Sequence, residues 1–301
     1  MKKDTFSIKM MILILIMLAL FAWTHAFATE GGGGAYSNSC DNFMSGVLPP
    51  PGTYFIDYAT YYTADKFRGD NGDSLVPDFN MHALANVFRF VHVTKYKVLG
   101  GNWGMHIAIP LVHLNVTAGG RSQDRTSIGD TIIDPFVFAW HTKNWHWLIG
   151  LDVFVPIGRY DTKDLANIGR NYWTFEPLFA VTYLSDTGFE VSTKFLYDFN
   201  TKNNDTDYKS GQEFHMDYTV AQKFNNISAG LGGYYYNQIL NDEKNGIKFG
   251  PDGNKGRVFA IGPQVKYDFK NMFFVATYAK EMSVQNRPDG EKVWLKFFYP
   301  F

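Results

Sequence analysis

The stretch GRVFAIGPQVKYDFKNMFFVATYAKEMSV, residues 256–284, decides the fold, because its side chains alternate in character along the chain. Apolar Val265 and Tyr267 alternate with polar Gln264 and Lys266, and a second alternating run follows a turn at 270–271. A period of two is typical of a β-strand with one apolar face. Such a face meets a protein core in a soluble sheet and meets lipid in a membrane barrel.

Composition favours the membrane barrel. The chain has 301 residues, a formal charge of -1 and 17% aromatic residues. Near-neutral charge argues against a nucleic-acid partner, which usually selects a basic surface. After residue 28 no stretch of 18 apolar residues exists, as a membrane-spanning helix would require. The single cysteine, Cys40, excludes a disulfide within the chain.

The N-terminal residues predict export. Three lysines in residues 1–9 precede an apolar run, and the small-x-small pattern Ala26-Phe27-Ala28 follows it. This arrangement is typical of a cleavable signal peptide over 1–28. Residues 29–51 contain four glycines and three prolines, which predict a flexible leader. The barrel is expected over 52–301, in the outer membrane.

The rest of the chain divides into about twelve alternating segments, and the connections between them alternate in length. Short turns are predicted at 142–144, 185–188, 224–226 and 270–271, with a somewhat longer one at 95–102. Long polar connections are predicted at 64–79, 118–127, 158–171, 201–211 and 240–256, and a shorter one at 285–291. Outer-membrane barrels have short periplasmic turns and long external loops. The fold class is therefore an all-β, antiparallel transmembrane barrel of about twelve strands.

The final segment, EKVWLKFFYPF (291–301), shows which face meets lipid. Val293, Leu295 and Tyr299 share one parity, while Lys292 and Lys296 share the other. A lysine on the lipid face at mid-depth costs about 2–4 kcal/mol, so the charged parity is expected to face the lumen. The terminal Phe301 resembles the signal that barrel-assembly machinery reads, which makes that machinery an expected partner alongside outer-membrane lipid.

The same parity argument gives candidate lumen residues. Asp134 and Glu176 each precede a proline. The candidate residues include both acids and bases, which can either compensate one another or line a solute path. Parity is less clean in 80–94 and 271–284, the segments that contain Arg89 and Lys280. The candidates from the residues alone are Asp57, Arg89, Asp134, Asp152, Glu176, Lys194, Asp198, His215, Asp217, Lys266 and Lys280.

Prolines inside predicted strands indicate irregular pairing, because proline removes a donor from the ladder and a closed barrel has no edge to hide this. Bulges or kinks are expected at these positions. A kink can open a lateral gap or redirect a side chain into the lumen. The five positions are Pro110, Pro135, Pro156, Pro177 and Pro263.

The sequence gives no enzyme signature. Its eight histidines show no metal-ligand spacing, and no GxSxG, phosphate loop or CxxC motif occurs. A non-enzymatic protein without a cofactor or metal is expected. A membrane-embedded lipid hydrolase and a surface protein acting through its long loops remain as alternatives.

Four segments resemble the phenol meta-pathway degradation family, which includes the SphA-type sphingosine-induced outer-membrane proteins. They are PPPGTYFIDYATYYTADKFRGDNG (49–72), SIGDTIIDPFVFAWH (127–141), GLDVFVPIGRYD (150–161) and YWTFEPLFAVTYL (172–184). The resemblance implies an outer-membrane barrel that takes up aromatic or other hydrophobic compounds. It adds Asp130 to the lumen candidates. The matching positions are Gly129, Asp130, Asp134, Pro135, Pro156, Gly158, Tyr160, Glu176 and Pro177.

Together these features predict a monomeric outer-membrane channel for the passive uptake of a small hydrophobic or aromatic solute or lipid. The solute would cross a narrow lumen and could leave sideways near a kink. Whether the leader plugs the lumen is left open by the sequence.

Overall fold

The computed structural model describes residues 30–301, so the predicted signal peptide lies outside the described residues. A 3-10 turn, Glu30–Gly32, is followed by strands only. None of the helical structure in residues 30–301 is long and apolar enough to cross a membrane. The strands are β1 Gly52–Phe67, β2 Asn80–Val98, β3 Gly101–Ala118, β4 Arg121–Ile128, β5 Thr131–His141, β6 Trp145–Val155, β7 Thr174–Leu184, β8 Phe189–Asn200, β9 Lys202–Asn203, β10 Tyr208–Lys209, β11 Glu213–Phe224, β12 Ile227–Gln238, β13 Glu243–Lys244, β14 Ile247–Lys248, β15 Arg257–Phe269, β16 Met272–Gln285 and β17 Pro288–Pro300.

The large sheet closes on itself. All of its pairings are antiparallel, and β1 pairs with both β2 and the last strand, β17. Within the described residues, β4 and β5 form one interrupted barrel strand, because both pair with β3. Counted in this way, the barrel has twelve strands, which confirms the predicted fold class.

The interruption between β4 and β5 leaves a gap in the pairing of the wall. β6 pairs with β5 and not with β4, so the second edge of β4 has no strand neighbour within residues 30–301. The segment 156–173, between β6 and β7, lies along that edge. We call the contact between β4 and segment 156–173 the seam.

The outer face carries the apolar parity that the sequence predicts. Leu295 and Phe179 are exposed, at 54% and 42%, whereas their neighbours on the opposite parity are buried. Trp145 is also exposed and packs against Tyr183, with ring centroids 4.9 Å apart, at one end of the barrel. Trp173 is exposed at the other end. Exposed aromatics at both ends are the arrangement that membrane interfaces favour.

The short and long connections separate as predicted, with two corrections. Connections 99–100, 142–144, 185–188, 225–226 and 270–271 lie at what we call the turn end, and the longer ones at the loop end. The predicted long loop at 118–127 is wrong: a two-residue turn joins β3 directly to β4. Gly119 and Gly120 both have positive φ, as such a turn demands. The connection at 285–291 is also a two-residue turn.

The prolines disturb pairing, although in different ways. Pro135 lies within a change of register between β5 and β6, so a bulge is confirmed there. Pro110 lies opposite the break between β4 and β5, and Pro156 directly follows β6. At Pro177 and Pro263 pairs are missing from one ladder, but the register does not shift. Of the expected bulges or kinks, a bulge is therefore absent at these last two prolines.

Residues 30–51 pass through the interior of the barrel. Their glycine and proline content predicted flexibility, yet Asn38, Phe43 and Leu48 are buried against inward-facing side chains. Composition could not show this, because the residues that hold the segment belong to distant strands. We call residues 30–51 the leader.

Candidate functional site

Asp41, in the leader, is the main ionic anchor of the lumen. Its Oδ1 accepts from Lys296 Nζ at 3.0 Å, and its Oδ2 accepts from Arg89 at 3.0 Å and from Lys194 Nζ at 3.4 Å. These cations come from β17, β2 and β8, so one carboxylate ties the leader to three sides of the barrel. Burial raises the pKa of Asp41, but the three cations more than offset this and hold that pKa well below its usual value.

Further polar contacts hold the leader against β7, β8 and β11. The Tyr36 hydroxyl and the Ser39 amide donate to the Asp217 carboxylate at 2.7 and 2.8 Å. The Met44 amide donates to Glu190 at 2.7 Å. Because buried backbone amides need partners, these inward side chains position the leader backbone directly.

Gly46 shows how closely the leader approaches the wall. Its amide donates to Thr182 Oγ1 at 3.0 Å. A Cβ at this position would lie 2.6 Å from the backbone oxygen of His146 and 2.7 Å from the backbone nitrogen of Thr182. Only glycine fits between the leader and the strands here.

A cavity of about 290 Å³ remains beside the leader. One of its walls is apolar, with Ala83, Ala85 and Val87 of β2 beside Val112 and Leu114 of β3. The opposite wall carries leader residues and charged groups. The cavity extends to residues at the seam, which are Gly129, Asp130, Asn167, Ile168 and Arg170.

The seam is held mainly by side chains. Gln123 of β4 accepts the amide of Leu165 at 2.5 Å and donates to Asp164 at 2.6 Å. Asp130, between β4 and β5, accepts the amides of Gly158 at 2.9 Å and Arg170 at 2.7 Å. The backbone contributes one bond, from the Arg159 amide to the Ile128 oxygen at 3.3 Å. The wall is therefore closed here without the continuous ladder found elsewhere.

Two buried clusters of histidine and carboxylates face the interior. In one, His106 Nε2 lies 3.0 Å from Asp152, beside Asp134. In the other, His215 Nε2 lies 3.4 Å from Asp198 and 3.5 Å from Glu213. His106 lies on β3 and His215 lies on β11, so the two clusters occupy different parts of the wall.

Most of the predicted lumen residues do face the interior. The structure brings Arg89 and Lys194 together on Asp41, and Asp198 together with His215. Lys266 pairs instead with Asp268 near the turn end, at 3.1 Å. The inward-facing set is Arg89, Asp134, Asp152, Glu176, Lys194, Asp198, His215, Asp217 and Lys266.

The placement of two residues in the lumen is wrong. Asp57 lies on the outer face among apolar residues such as Leu295, where it accepts a hydrogen bond from Asn86 at 2.7 Å. In β1 both parities carry aromatic residues, so the sequence could not separate the two faces. Lys280 is also outward, with its side chain 51% exposed, and lies 3.6 Å from Glu291.

Sequence reasoning missed Asp41, Asn38 and Glu213. The first two lie in a leader whose composition suggested no contacts, and no local pattern marks them. Glu213 begins β11 at the edge of its alternating run. A signal was available for Glu213, because it shares the inward parity of His215 and Asp217.

The closed antiparallel barrel, with its apolar outer face and a polar lumen crossed by a leader, defines an outer-membrane type of barrel. The profile of the family described as "Putative MetA-pathway of phenol degradation" matches residues 64–297. The chain belongs to this family, as its sequence segments indicated. No curated protein sequence matches the chain.

A solved structure has the same fold. The chain is similar to the COG4313 outer membrane channel from Pseudomonas putida F1, with 15% identity and a TM-score of 0.77. That match covers 87% of this chain and 100% of the channel. The β domain of the Bordetella autotransporter BrkA is more distant, with 8% identity, a TM-score of 0.47, and coverage of 83% and 99%.

Proposed function

We propose that this protein is an outer-membrane channel for the passive uptake of small hydrophobic or aromatic compounds. The observation that carries the proposal is the 290 Å³ cavity, whose apolar β2–β3 wall continues to the seam. Sites for small molecules combine apolar surface with placed polar groups, and this cavity has an apolar wall opposite a charged one. Its volume suits a compound of about the size of one substituted aromatic ring.

The geometry supports a sideways route for the solute. The leader fills the polar side of the lumen, while the apolar side leads toward the seam. Because side chains and one backbone bond close the seam, it can open without breaking a strand ladder. A hydrophobic solute that leaves there passes from an apolar wall toward lipid and avoids the aqueous lumen.

Two comparisons with similar proteins support the proposal. The structure from Pseudomonas putida F1, which has the same fold, is described as an outer membrane channel, and the family description names phenol degradation. A channel in the outer membrane that admits aromatic compounds accords with both. The surface-interaction and hydrolase alternatives stay predictions.

The test fills the cavity. Ala85→Trp places an indole against the apolar wall, and we expect entry of an aromatic fluorescent probe into proteoliposomes to fall at least tenfold. The matched control is Ala59→Trp, because Ala59 lies on the outer face, beside Asp57. Its uptake should equal that of the unmodified protein. Folding of each variant is checked by its heat-modifiable migration on gels.

Three results contradict the proposal: unmodified protein that adds nothing to probe entry, equal uptake by Ala85→Trp, or an equal loss in both variants. If Ala85→Trp does not fold, Ala83→Phe on the same wall gives the same comparison with a smaller side chain.

A further inference from the structure

The cluster of Asp198, Glu213 and His215 is not explained by solute passage. Asp198 and Glu213 are directly paired across β8 and β11, and His215 follows two residues later on the same face. All three are fully buried. Their potential ligand atoms lie within 4.8 Å of one another.

The ligand atoms of this cluster contact one another but form no hydrogen bonds. Both oxygens of Asp198, Oε2 of Glu213 and Nε2 of His215 are buried without one, although Nε2 lies 3.4 and 3.5 Å from the two carboxylates. Glu176, from the neighbouring strand β7, is fully buried with both oxygens unpartnered. Buried polar atoms are rarely left in this state, and buried charges are usually paired or bound to a metal.

Nearby cations do not compensate the carboxylates by contact. Within residues 30–301, no Lys or Arg nitrogen lies within 4.0 Å of a carboxylate oxygen of Asp198, Glu213 or Glu176. Arg287 and Lys194 act on the cluster only at longer range. Two ionised carboxylates, Asp198 and Glu213, outweigh even a protonated His215, so the cluster attracts a further positive charge.

The orientation of His215 suits a metal ligand. Its Nδ1 lies 2.7 Å from Asn38 Oδ1, and because an amide oxygen only accepts, Nδ1 carries the hydrogen. In the neutral imidazole the lone pair is then on Nε2, the nitrogen that lies near both Asp198 and Glu213. A histidine that ligates a metal commonly donates its other N–H in this way, which fixes its tautomer. Asn200 similarly holds Glu213, by donating to Oε1 at 3.0 Å.

The distances fit a tetrahedral ion. His215 Nε2 is 3.4 Å from Asp198 Oδ2 and 3.5 Å from Glu213 Oε2. Ligand atoms about 2.1 Å from a zinc ion at tetrahedral angles stand about 3.4 Å apart. One imidazole with carboxylates is also a donor set that first-row divalent ions accept.

We propose that Asp198, Glu213 and His215 bind one zinc ion, and that the leader closes the site. Tyr36 packs edge-on against His215, with ring centroids 5.4 Å apart. A Cβ on Gly34 would lie 2.4 Å from Glu213 Oε2, so the leader backbone covers the site directly. The ion then links the wall to the leader through His215 and Asn38.

The His106 cluster provides the matched control. There Asp134 already accepts the amides of Phe136 at 2.7 Å and Leu151 at 2.9 Å. This leaves only His106 and Asp152 as available ligands in that cluster. His106→Gln therefore removes another buried histidine without removing a zinc ligand.

The experiment measures zinc content. The mature protein and its variants are unfolded with a chelator, refolded in detergent with zinc alone, desalted and analysed by mass spectrometry for metal. We expect one zinc per chain in the unmodified protein and in His106→Gln, and less than a tenth of this in His215→Gln. Asn38→Ala should weaken zinc binding by about 10–100-fold, as the loss of an orienting partner usually does.

Refolded unmodified protein without stoichiometric zinc overturns the proposal, as does equal zinc in His215→Gln and the unmodified protein. Equal losses in His106→Gln and His215→Gln do the same. If His215→Gln does not fold, the unmodified protein is refolded with cobalt in place of zinc and its visible absorption is measured. Bands of tetrahedral cobalt support the site, and bands of octahedral cobalt or no bands overturn it.

Discussion

The two walls of the lumen differ in what they offer a neighbour. The wall of β7, β8 and β11 carries Glu190, Lys194 and Asp217, which bind the leader through hydrogen bonds and ion pairs. The wall of β2 and β3 presents Ala85 and Val112, and a cavity lies against it. The leader backbone finds its partners on the polar wall, and a cavity remains against the apolar wall. The leader therefore leaves a cavity with one apolar wall inside a lumen that is otherwise lined by charged groups.

The largest effect is expected from removing Asp41, the ionic anchor that holds the leader in the lumen. Asp41→Asn leaves Arg89, Lys194 and Lys296 buried without their counter-charge. Removing one partner of a buried ionic group costs about 3–5 kcal/mol, so we expect the leader to detach from the lumen. Limited proteolysis of the leader measures this, with cleavage at least 100-fold faster in the variant.

The control for this change is Asp57→Asn, because Asp57 lies on the outer face and contacts no leader residue among those described. Its leader should resist protease as in the unmodified protein. Equal resistance in Asp41→Asn would show that the leader does not depend on its ionic anchor.

A smaller effect is expected from steric exclusion on the polar side. Gly46→Ala introduces a Cβ within 2.7 Å of backbone atoms that cannot move without disturbing β6 and β7. Overpacking of this kind costs about 1–3 kcal/mol, which should appear as faster proteolysis of the leader. In Gly104→Ala the new Cβ would approach the end of the Leu48 side chain at 3.3 Å and the backbone oxygen of His92 at 3.5 Å, an ordinary contact distance. Proteolysis as fast in Gly104→Ala as in Gly46→Ala would remove the steric explanation.

A pair of tyrosines sharpens the contrast between the interior and the lipid face. Tyr62 points into the cavity and donates to Glu281 at 3.0 Å, whereas Tyr61 is outward and contacts His82 at 2.9 Å. Tyr62→Phe should destabilise the barrel by about 1.5–3 kcal/mol, since a hydrogen bond to a carboxylate is lost. Tyr61→Phe should change little. Urea unfolding, followed by gel mobility, compares them, and equal effects would contradict the assigned faces.

The smallest effect is expected from mild acid. The pKa of Asp41 is lower in the folded protein than in the unfolded chain, where it is about 3.9. The ionised Asp41 therefore stabilises the docked leader fully above pH 3.9, and this stabilisation is lost only as the pH falls through the lower, folded pKa. Protease resistance of the leader should therefore be the same at pH 7 and pH 5. Release of the leader between these values would show that another group controls it.

Much of the barrel could be predicted from the sequence because its determinants are local. Alternation in residues 256–284 and 291–301 places Leu295 on the lipid face and Lys296 inside, since successive strand residues point to opposite faces. Parity failed in β1 because aromatic residues occupy both of its faces, which misplaced Asp57. It was unclear in β2 for a related reason: Ala83, Ala85 and Val87 are apolar although they face the interior.

The sequence by itself determined the strands, the turn end and the lipid-facing surface, because alternation and turn residues act over a few positions. Only the tertiary structure decided what fills the lumen. Asp41 lies 255 residues from Lys296 and 153 from Lys194, and no local pattern connects them. Closing the sheet brings these groups together around a leader whose glycines suggested flexibility. The same closure gathers Asp198, Glu213 and His215 into one buried cluster and leaves the apolar wall facing a cavity.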